Sequence, residues 1–351
     1  MATAKWDGKR WRLRVTENGV TRSFQSYTPG RKGKKEVEEK AARIARLDDV
    51  CQFFVAWERY LEEVGALTGP ENYTNTESIG RNYILPILGQ KKLPELRITD
   101  FQKILYTARK RNGEPLAKKS ISNIRGVMVN FGKFCLRSRL WDLDLSELRI
   151  PKNAPKKGKV ILQPEEAARL FEDFNDDWYI NLWRWLLATG CRPGEALGLK
   201  WDDIKDGTVT ISRAINYRNR VTEGKNENAR RSFRLNSILE KILSDQRDKT
   251  WRLRSEYVFC NHAGQHAKQT ATKNSWDEIS RQIGTEASPY SLRHTFISFM
   301  AQALPEQALK ALVGHSVNMD TYGVYGHAVN GDDDRIATSV NSILRARLGQ
   351  D

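Results

Sequence analysis

The sequence contains little cysteine, and what it has is not spaced for metal binding. Four cysteines are scattered through 351 residues without any Cys-x-x-Cys pair: Cys51, Cys135, Cys191 and Cys260. This argues against a disulfide framework and against a zinc site, and it suits a reducing compartment. We therefore expect no metal, no cofactor and a cytoplasmic location.

Long apolar runs are also missing. No stretch approaches the roughly 20 residues that a membrane-spanning helix needs, and the N-terminus has no apolar signal core. The sequence also lacks the Gly-x-x-x-x-Gly-Lys-Ser/Thr loop that binds nucleotide phosphates. These absences predict a protein without a membrane partner and without a need for ATP.

Positive charge, by contrast, is abundant. The chain has 58 Lys and Arg against 43 Asp and Glu, a formal charge of +15, and these cations occur in every segment. A solvated basic surface is the plain interpretation, but this excess is larger than solubility requires. It favours binding to a polyanion, and the apolar fraction of 39% leaves enough material for real cores.

Residues 1–48 predict a small domain made of a sheet and one helix. Trp11, Leu13 and Val15 alternate with three arginines, which predicts a strand with one apolar and one basic face. Asn18-Gly19 predicts a hairpin turn, 20–27 a return strand, 31–35 a basic connection, and 37–47 a helix. The arginine face fits a DNA groove better than it fits an ordinary solvent-facing edge strand.

Residues 50–148 predict an all-α bundle of four or five helices. One helix has Phe53, Trp57, Leu61 and Val64 on a single face, a second opens at a capping box from Thr99 and runs to 110, and Ser120 would cap a third. On this third helix, the residues predicted to face inward are Ile121, Ile124, Met128, Phe131 and Cys135. Segment 149–159, rich in Pro and Lys and free of acids, predicts a basic linker.

Residues 160–351 predict a mainly α domain with a small antiparallel sheet, so that the whole chain is multidomain α+β. Pro164 begins a helix, and a later helix ends at Gly190 just before Pro193 begins another, which places Arg192 in an elbow. Segments 208–213 and 232–235 predict paired strands, with Lys225 on the polar turn between them. Further helices are predicted near 237, over 271–283, around Arg293 and before Gly314, and 257–260 is a brief strand.

The region from 289 to 327 combines Arg293 with several histidines and tyrosines, and a second arginine, Arg192, lies about a hundred residues upstream. Two arginines, a histidine and a tyrosine suit phosphoryl transfer without metal, because the cations hold the phosphate and the phenol attacks it. The motifs follow in this order: Thr-Gly-x-Arg-Pro-Gly-Glu-Ala-Leu-Gly-Leu-x-Trp around Arg192, Lys225 followed by Arg231-Ser232-Phe233-Arg234-Leu235, Ser-Leu-Arg-His-Thr-Phe around Arg293, Gly-His-Ser at 314–316, and Tyr-Gly-His at 325–327. Together they resemble the tyrosine recombinase (phage integrase) family.

The resemblance implies a role for each matching position. Arg192 and Arg293 would clamp the non-bridging oxygens of the scissile phosphate, and His315 would donate to the same oxygens. Lys225 would be the general acid for the leaving 5′-oxygen, and Tyr325 the nucleophile that forms a 3′-phosphotyrosyl bond. Glu195 would hold the region of Arg192 in place.

Two positions need comment. Tyr290 stands where the family motif usually has His; a phenol donates a hydrogen bond to a phosphate oxygen but is not a base near neutral pH. Tyr322 is close to Tyr325, but only Tyr325 is followed by Gly-His and stands ten residues after His315. We therefore keep Tyr290 in the candidate site as a donor and choose Tyr325 as the nucleophile.

The resemblance also implies the partners. The residues before 149 look like the family's arm-type and core-site DNA-binding domains, so we expect double-stranded DNA as partner, a homotetramer on that DNA inside a bacterial host cell, and an accessory excision or DNA-bending factor. The C-terminal tail from residue 330 would pack on a neighbouring protomer, or alternatively fold back on its own domain. The rival functions are a type IB-like topoisomerase and a catalytically inert DNA-binding regulator.

Overall fold

The computed structural model describes residues 3–17, 20–45, 52–156, 158, 160–223, 230–314 and 332–350. The chain divides into two compact units, Met1–Lys157 and Gly158–Asp351. The division falls within the segment 149–159 that the sequence predicts as a linker, while the finer boundaries at 48, 50 and 148 stay predictions. Each unit has its own apolar core.

The N-terminal unit begins with a three-stranded antiparallel sheet and one helix. The strands are β1 (Lys5–Trp6), β2 (Trp11–Glu17) and β3 (Val20–Ser26) in that order, and Glu17 pairs with Val20 across the predicted hairpin. Helix α1 (Gly30–Ala45) packs Val37 against Leu13 and Phe24, which are all buried. The predicted basic connection at 31–35 is wrong, because these residues form the first turns of α1.

Among the described residues of the same unit, five α-helices follow: α2 (Phe53–Leu67), α3 (Pro70–Ile79), α4 (Leu85–Leu88), α5 (Ile98–Thr107) and α6 (Lys118–Arg137). Their core contains the residues that the periodicity turned inward, including Trp57, Phe131 and Cys135. Three predicted helix ends are wrong. Helix α5 starts after Arg97, whose backbone N–H donates to Asp100, and stops at Thr107; Ser120 lies inside α6, which begins two residues earlier.

The helical part covers the outer edge of β3. The Ser23 N–H donates to Glu62 Oε1 at 2.6 Å, and the Tyr73 hydroxyl donates to the Gln25 carbonyl at 2.7 Å. Burial raises the pKa of Glu62 to about 7. Because the edge strand is capped in this way, the sheet cannot pair with another chain along β3, whereas Arg14 on the basic face is exposed.

The C-terminal unit is mainly helical. Its elements are α7 (Pro164–Glu172), α8 (Ile180–Thr189), α9 (Pro193–Leu197), β4 (Ile204–Lys205), β5 (Thr208–Ile211), β6 (Arg213–Ile215), β7 (Val221–Glu223), β8 (Arg231–Arg234), α10 (Ser237–Thr250), α11 (Gln269–Ile283), α12 (Pro289–Met300), α13 (Glu306–Val313) and α14 (Asp332–Leu348). The strands form a sheet in the order β4-β5-β8 and a separate ribbon β6-β7. The predicted small antiparallel sheet is confirmed, but the ribbon was not foreseen.

Two local predictions for this unit are wrong. The strand predicted over 208–213 breaks at Ser212, and the ribbon begins at Arg213. The brief strand at 257–260 is reduced to isolated bridges at its two ends. The helix predicted with a cap near Ser237 is confirmed: α10 begins at Ser237, and the side chain of the preceding Asn236 accepts the Leu239 N–H.

Helix α8 is the centre of this unit. Every residue of α8 is buried, and α12 and α10 pack against it. The C-terminal helix α14 packs on α7, α12 and β8 of the same unit and buries Val340, Leu344 and Leu348. The tail segment 332–348 therefore folds back on its own domain. Within the described ranges, no helix combines the length and the apolarity needed to cross a membrane.

Candidate functional site

Arg192 lies in the elbow that the sequence predicts. Helix α8 ends at Gly190, whose φ of 63° is the left-handed conformation that favours glycine, and a Cβ at this position would collide with the Phe296 ring. Pro193 then starts α9. Because both helices are buried at the elbow, the backbone of Arg192 has little freedom.

Glu195 orients Arg192 from one turn further along α9. Its Oε2 accepts the Arg192 backbone N–H at 3.0 Å, and its Oε1 accepts from Arg192 Nη1 at 2.6 Å. The Glu195 side chain is buried, whereas that of Arg192 is 37% exposed. Burial alone would raise the pKa of Glu195, but the hydrogen bonds and charges of Arg231 and Arg192 outweigh it and lower the pKa. The carboxylate is thus held ionised, with a single negative charge between two guanidiniums.

Arg293 is a buried cation whose hydrogen-bonding capacity is only partly used. The residue is 1% exposed, and its Nη1 donates to the Gly190 carbonyl at 2.7 Å. Its Nε and Nη2 are buried and have no hydrogen-bond partner in the part of the chain that the structure describes. Burial and the nearby charge of Arg192 lower the pKa of Arg293. Buried donors without partners are costly, so this geometry suits a site that receives an anion.

Arg231 also belongs to the site, although the sequence pattern did not assign it a role. It starts β8, and its buried Nη2 donates to Glu195 Oε2 at 2.7 Å, while its Nε donates to the Leu312 carbonyl at 2.8 Å. The sequence contained a signal, since Arg231 opens the motif after Lys225. Nothing in that motif distinguishes it from Arg230, which is exposed, or from Arg234, which binds Asp334.

Tyr290 lies in the first turn of α12, one turn before His294. It is 44% exposed, and its ring packs against the His294 ring in a T-shaped contact with centroids 5.1 Å apart. The electrostatic neighbours of Arg293 include Tyr290, Arg192 and Glu195. The structure therefore brings Arg192, Tyr290 and Arg293 together, while the role of Tyr290 stays a prediction.

The other predicted site residues are Lys225, His315 and Tyr325, and they lie outside the described residues, as does Tyr322. The gaps that contain them are bounded by described elements. Strand β7 ends at Glu223, Gly314 closes α13 with a φ of 67°, and α14 begins at Asp332. The Gly314 carbonyl accepts from Arg192 Nη2 at 3.2 Å, so the chain that leads to His315 starts beside Arg192.

Comparison with known proteins shows which family and which relatives this chain is similar to. Residues 161–330 match the model of the phage integrase family. The chain is 23% identical over 345 residues to the ICEBs1 integrase of Bacillus subtilis (strain 168), which covers 89% of this chain and 88% of that protein. It is 23% identical over 275 residues to tyrosine recombinase XerC of Halalkalibacterium halodurans, covering 74% of this chain and 87% of that protein.

The fold also has a counterpart among solved structures. A lambda integrase tetramer bound to a Holliday junction superposes with a TM-score of 0.60 at 13% identity, covering 91% of this chain and 96% of that chain. At this level of identity the likeness establishes the fold. The prediction of a multidomain α+β architecture, with a sheet-plus-helix domain, a helical bundle and a mainly α C-terminal domain, is confirmed.

Proposed function

Since this chain belongs to the phage integrase family through residues 161–330, we propose that it recombines DNA at specific sites through a 3′-phosphotyrosyl intermediate. The observation that carries the proposal is Arg293, a fully buried guanidinium with two N–H-bearing nitrogens that lack a partner among the described residues. A phosphodiester oxygen satisfies such donors better than a neutral group does, because charge-assisted hydrogen bonds are short and strong.

Arg192 and Arg293 would act on the same phosphate. Attack on a phosphodiester builds a crowded phosphorane with extra negative charge on the non-bridging oxygens, and fixed guanidiniums stabilise that charge. Glu195 engages one nitrogen of Arg192 and leaves its side chain partly exposed for a substrate. Because Arg293 lacks a carboxylate partner among the described residues, the site keeps net positive charge.

The covalent step would divide the work between Tyr325 and Lys225. The Tyr325 hydroxyl releases its proton to water as its oxygen attacks phosphorus, the bond from phosphorus to the 5′-oxygen breaks, and Lys225 delivers a proton to that oxygen. His315 and Tyr290 would donate further hydrogen bonds to the phosphate. The bond energy stays in the phosphotyrosine, so the 5′-hydroxyl of another strand can attack it and complete the exchange without ATP.

The experiment that tests the proposal is a covalent trap. The purified chain is mixed with a nicked duplex that carries the core site, taken from the DNA flanking the gene, so that the short cleaved strand diffuses away. We expect a protein–DNA adduct that survives denaturation and maps to Tyr325. An adduct accompanied by relaxation of any supercoiled plasmid would instead favour a type IB-like topoisomerase, and the absence of any adduct would favour an inert DNA-binding regulator.

Lys225→Ala should slow adduct formation by about 100-fold on the ordinary substrate, because an unprotonated 5′-oxygen is a poor leaving group. A substrate with a 5′-bridging sulfur should restore most of the rate, since a thiolate leaves without an acid. The matched control is Lys241→Ala, which removes an exposed lysine paired with Asp245 on α10 and should change neither rate. Equal losses on both substrates would remove Lys225 from the role of general acid.

The partners follow from the same proposal. The lambda integrase structure is a tetramer on a Holliday junction, and we propose that four copies of this chain likewise act on two duplexes. The helical part, predicted over 50–148, would bind the core site, and the sheet-plus-helix part, predicted over 1–48, would bind arm sites. An accessory excision or DNA-bending factor would set the direction of the reaction.

Arg14→Glu should separate arm binding from core cleavage. Arg14 is exposed on the basic face of β2, so reversing its charge should weaken binding to the arm duplexes by about 10-fold or more. Adduct formation on the core site should not change. Arm duplexes would be found by tiling the DNA that flanks the gene and measuring affinity for each tile.

The control for this experiment is Lys35→Glu, a charge reversal at an exposed lysine of α1. It makes the same change in net charge away from the basic face, and it should cost much less affinity. Arg10 would be unsuitable as a control, because its Nη1 is bound to Tyr27 and to the Gly65 carbonyl. Equal losses for Arg14→Glu and Lys35→Glu would show that only the overall charge matters and would contradict a role for this face.

A further inference from the structure

The carboxylate that orients Arg192 is itself anchored from a different element of the fold. Arg231, at the start of β8, donates to Glu195 Oε2 at 2.7 Å, and the side chains of both residues are buried. Glu195 in turn accepts both the backbone N–H and the Nη1 of Arg192. The contact between Arg231 and Glu195 joins residues 36 positions apart, so it connects β8 to the elbow that carries Arg192.

Arg231 also contacts the end of α13, through a backbone carbonyl. Its Nε donates to the Leu312 carbonyl at 2.8 Å, and Arg192 Nη2 donates to the Gly314 carbonyl at 3.2 Å. The last carbonyls of a helix lack partners within the helix, and cations bind there favourably. Two arginines thus hold the end of α13 just before His315.

We propose that Arg231 is a positioning residue for strand cleavage, which keeps Glu195, Arg192 and the end of α13 in one fixed arrangement. The inference rests on the proposed function and names a residue that acts through Arg192 instead of touching the phosphate. Without Arg231, Glu195 would keep its charge but lose one of its two cationic partners. It would then bind Arg192 alone, and the Leu312 carbonyl would lose its donor.

The electrostatics support this assignment. Burial alone would lower the pKa of Arg231, but the hydrogen bond to Glu195 and the charge of that carboxylate raise it, so the guanidinium stays charged. Burial raises the pKa of the Cys191 thiol, so that thiol stays neutral and Glu195 supplies the negative charge. A buried ion pair of this kind is expensive to break on one side only, because the remaining charge is left without compensation.

Arg231→Met tests the proposal because it keeps the length and the apolar volume of the side chain while it removes every donor. We expect single-turnover cleavage of the nicked core substrate to slow by about 30-fold or more, with affinity for that DNA changed by less than about 3-fold. Arg231→Lys keeps the charge but cannot reach Glu195 and the Leu312 carbonyl with a planar fork, so an intermediate loss is expected. If the wild type cleaved the substrate and Arg231→Met cleaved it at the same rate, this inference alone would be overturned. If the wild type formed no adduct, the proposed function would be overturned.

A substrate with a methylphosphonate at the cleavage position distinguishes positioning from a general loss of structure. This group lacks the negative charge that Arg192 would contact, so a defect that acts through Arg192 should shrink to less than about 3-fold on it. A merely misfolded variant would lose the same factor on both substrates, and that result would contradict the proposal. The matched control is Arg234→Met in the same strand, which removes contacts to Asp206 and Asp334 and should cleave both substrates like the wild type.

Discussion

Tyr325→Phe should form no covalent adduct on the nicked core substrate, whereas Tyr322→Phe should form it at the wild-type rate. The change removes one oxygen, and that oxygen is the atom that would bond to phosphorus. Loss of a nucleophile leaves no alternative route to the intermediate, so the expected drop is at least about 10⁴-fold, down to the limit of detection. DNA affinity should be unchanged, because phenylalanine preserves the ring.

The choice between the two tyrosines depends on sequence alone, which makes this the sharper of the main tests. Tyr325 has the Gly-His that follows it and the interval from His315, and Tyr322 has neither. The adduct would be digested and the modified peptide identified by mass, so that the attachment point is measured independently of the variants. Loss of adduct in Tyr322→Phe with retention in Tyr325→Phe would move the nucleophile.

Arg293→Lys should reduce cleavage by about 10²–10³-fold, the loss typical of removing one fixed donor from an oxyanion site. Lysine keeps the positive charge, but its ammonium cannot bind the Gly190 carbonyl and two phosphate oxygens in one plane as a guanidinium can. In the free protein, Nη1 donates to that carbonyl while Nε and Nη2 have no partner within the described chain. The Arg293→Lys variant should therefore lose less free energy of unfolding than it loses in stabilisation of the transition state for cleavage.

Arg184 provides the matched control, because it is another buried arginine in the same unit. Its Nε donates to the Leu170 carbonyl, and its Nη2 donates to the Asp173 carbonyl and to Asn175. Arg184→Lys should lower the free energy of unfolding by about 1–3 kcal/mol, as expected when buried acceptors lose a donor, without slowing cleavage by the folded fraction. If Arg293→Lys behaved like Arg184→Lys, losing stability but not cleavage, Arg293 would be structural.

Local patterns predicted much of the secondary structure because their causes are local. The alternation at Trp11, Leu13 and Val15 became β2, and the Gly190–Pro193 elbow formed where a left-handed C-cap precedes a proline. Helix ends were less predictable where a backbone group from a distant residue takes the place of a side-chain cap. Ser120 was expected to begin a helix, but α6 begins at Lys118 after Ala117 without a side-chain cap, and the Lys118 N–H binds the Pro155 carbonyl instead.

The sequence by itself determined the kinds of elements and the order of the reactive groups, since periodicity, caps and motifs are read within a few residues. Only the tertiary structure decided what each arginine does. Arg184, Arg231 and Arg293 are all cations in the same unit, but their partners differ. Arg184 binds backbone carbonyls, Arg231 binds Glu195, and Arg293 keeps two donors without a partner among the described residues. The reason is that burial and hydrogen-bond partners come from distant parts of the chain: the Gly190 carbonyl that receives Arg293 is 103 residues away.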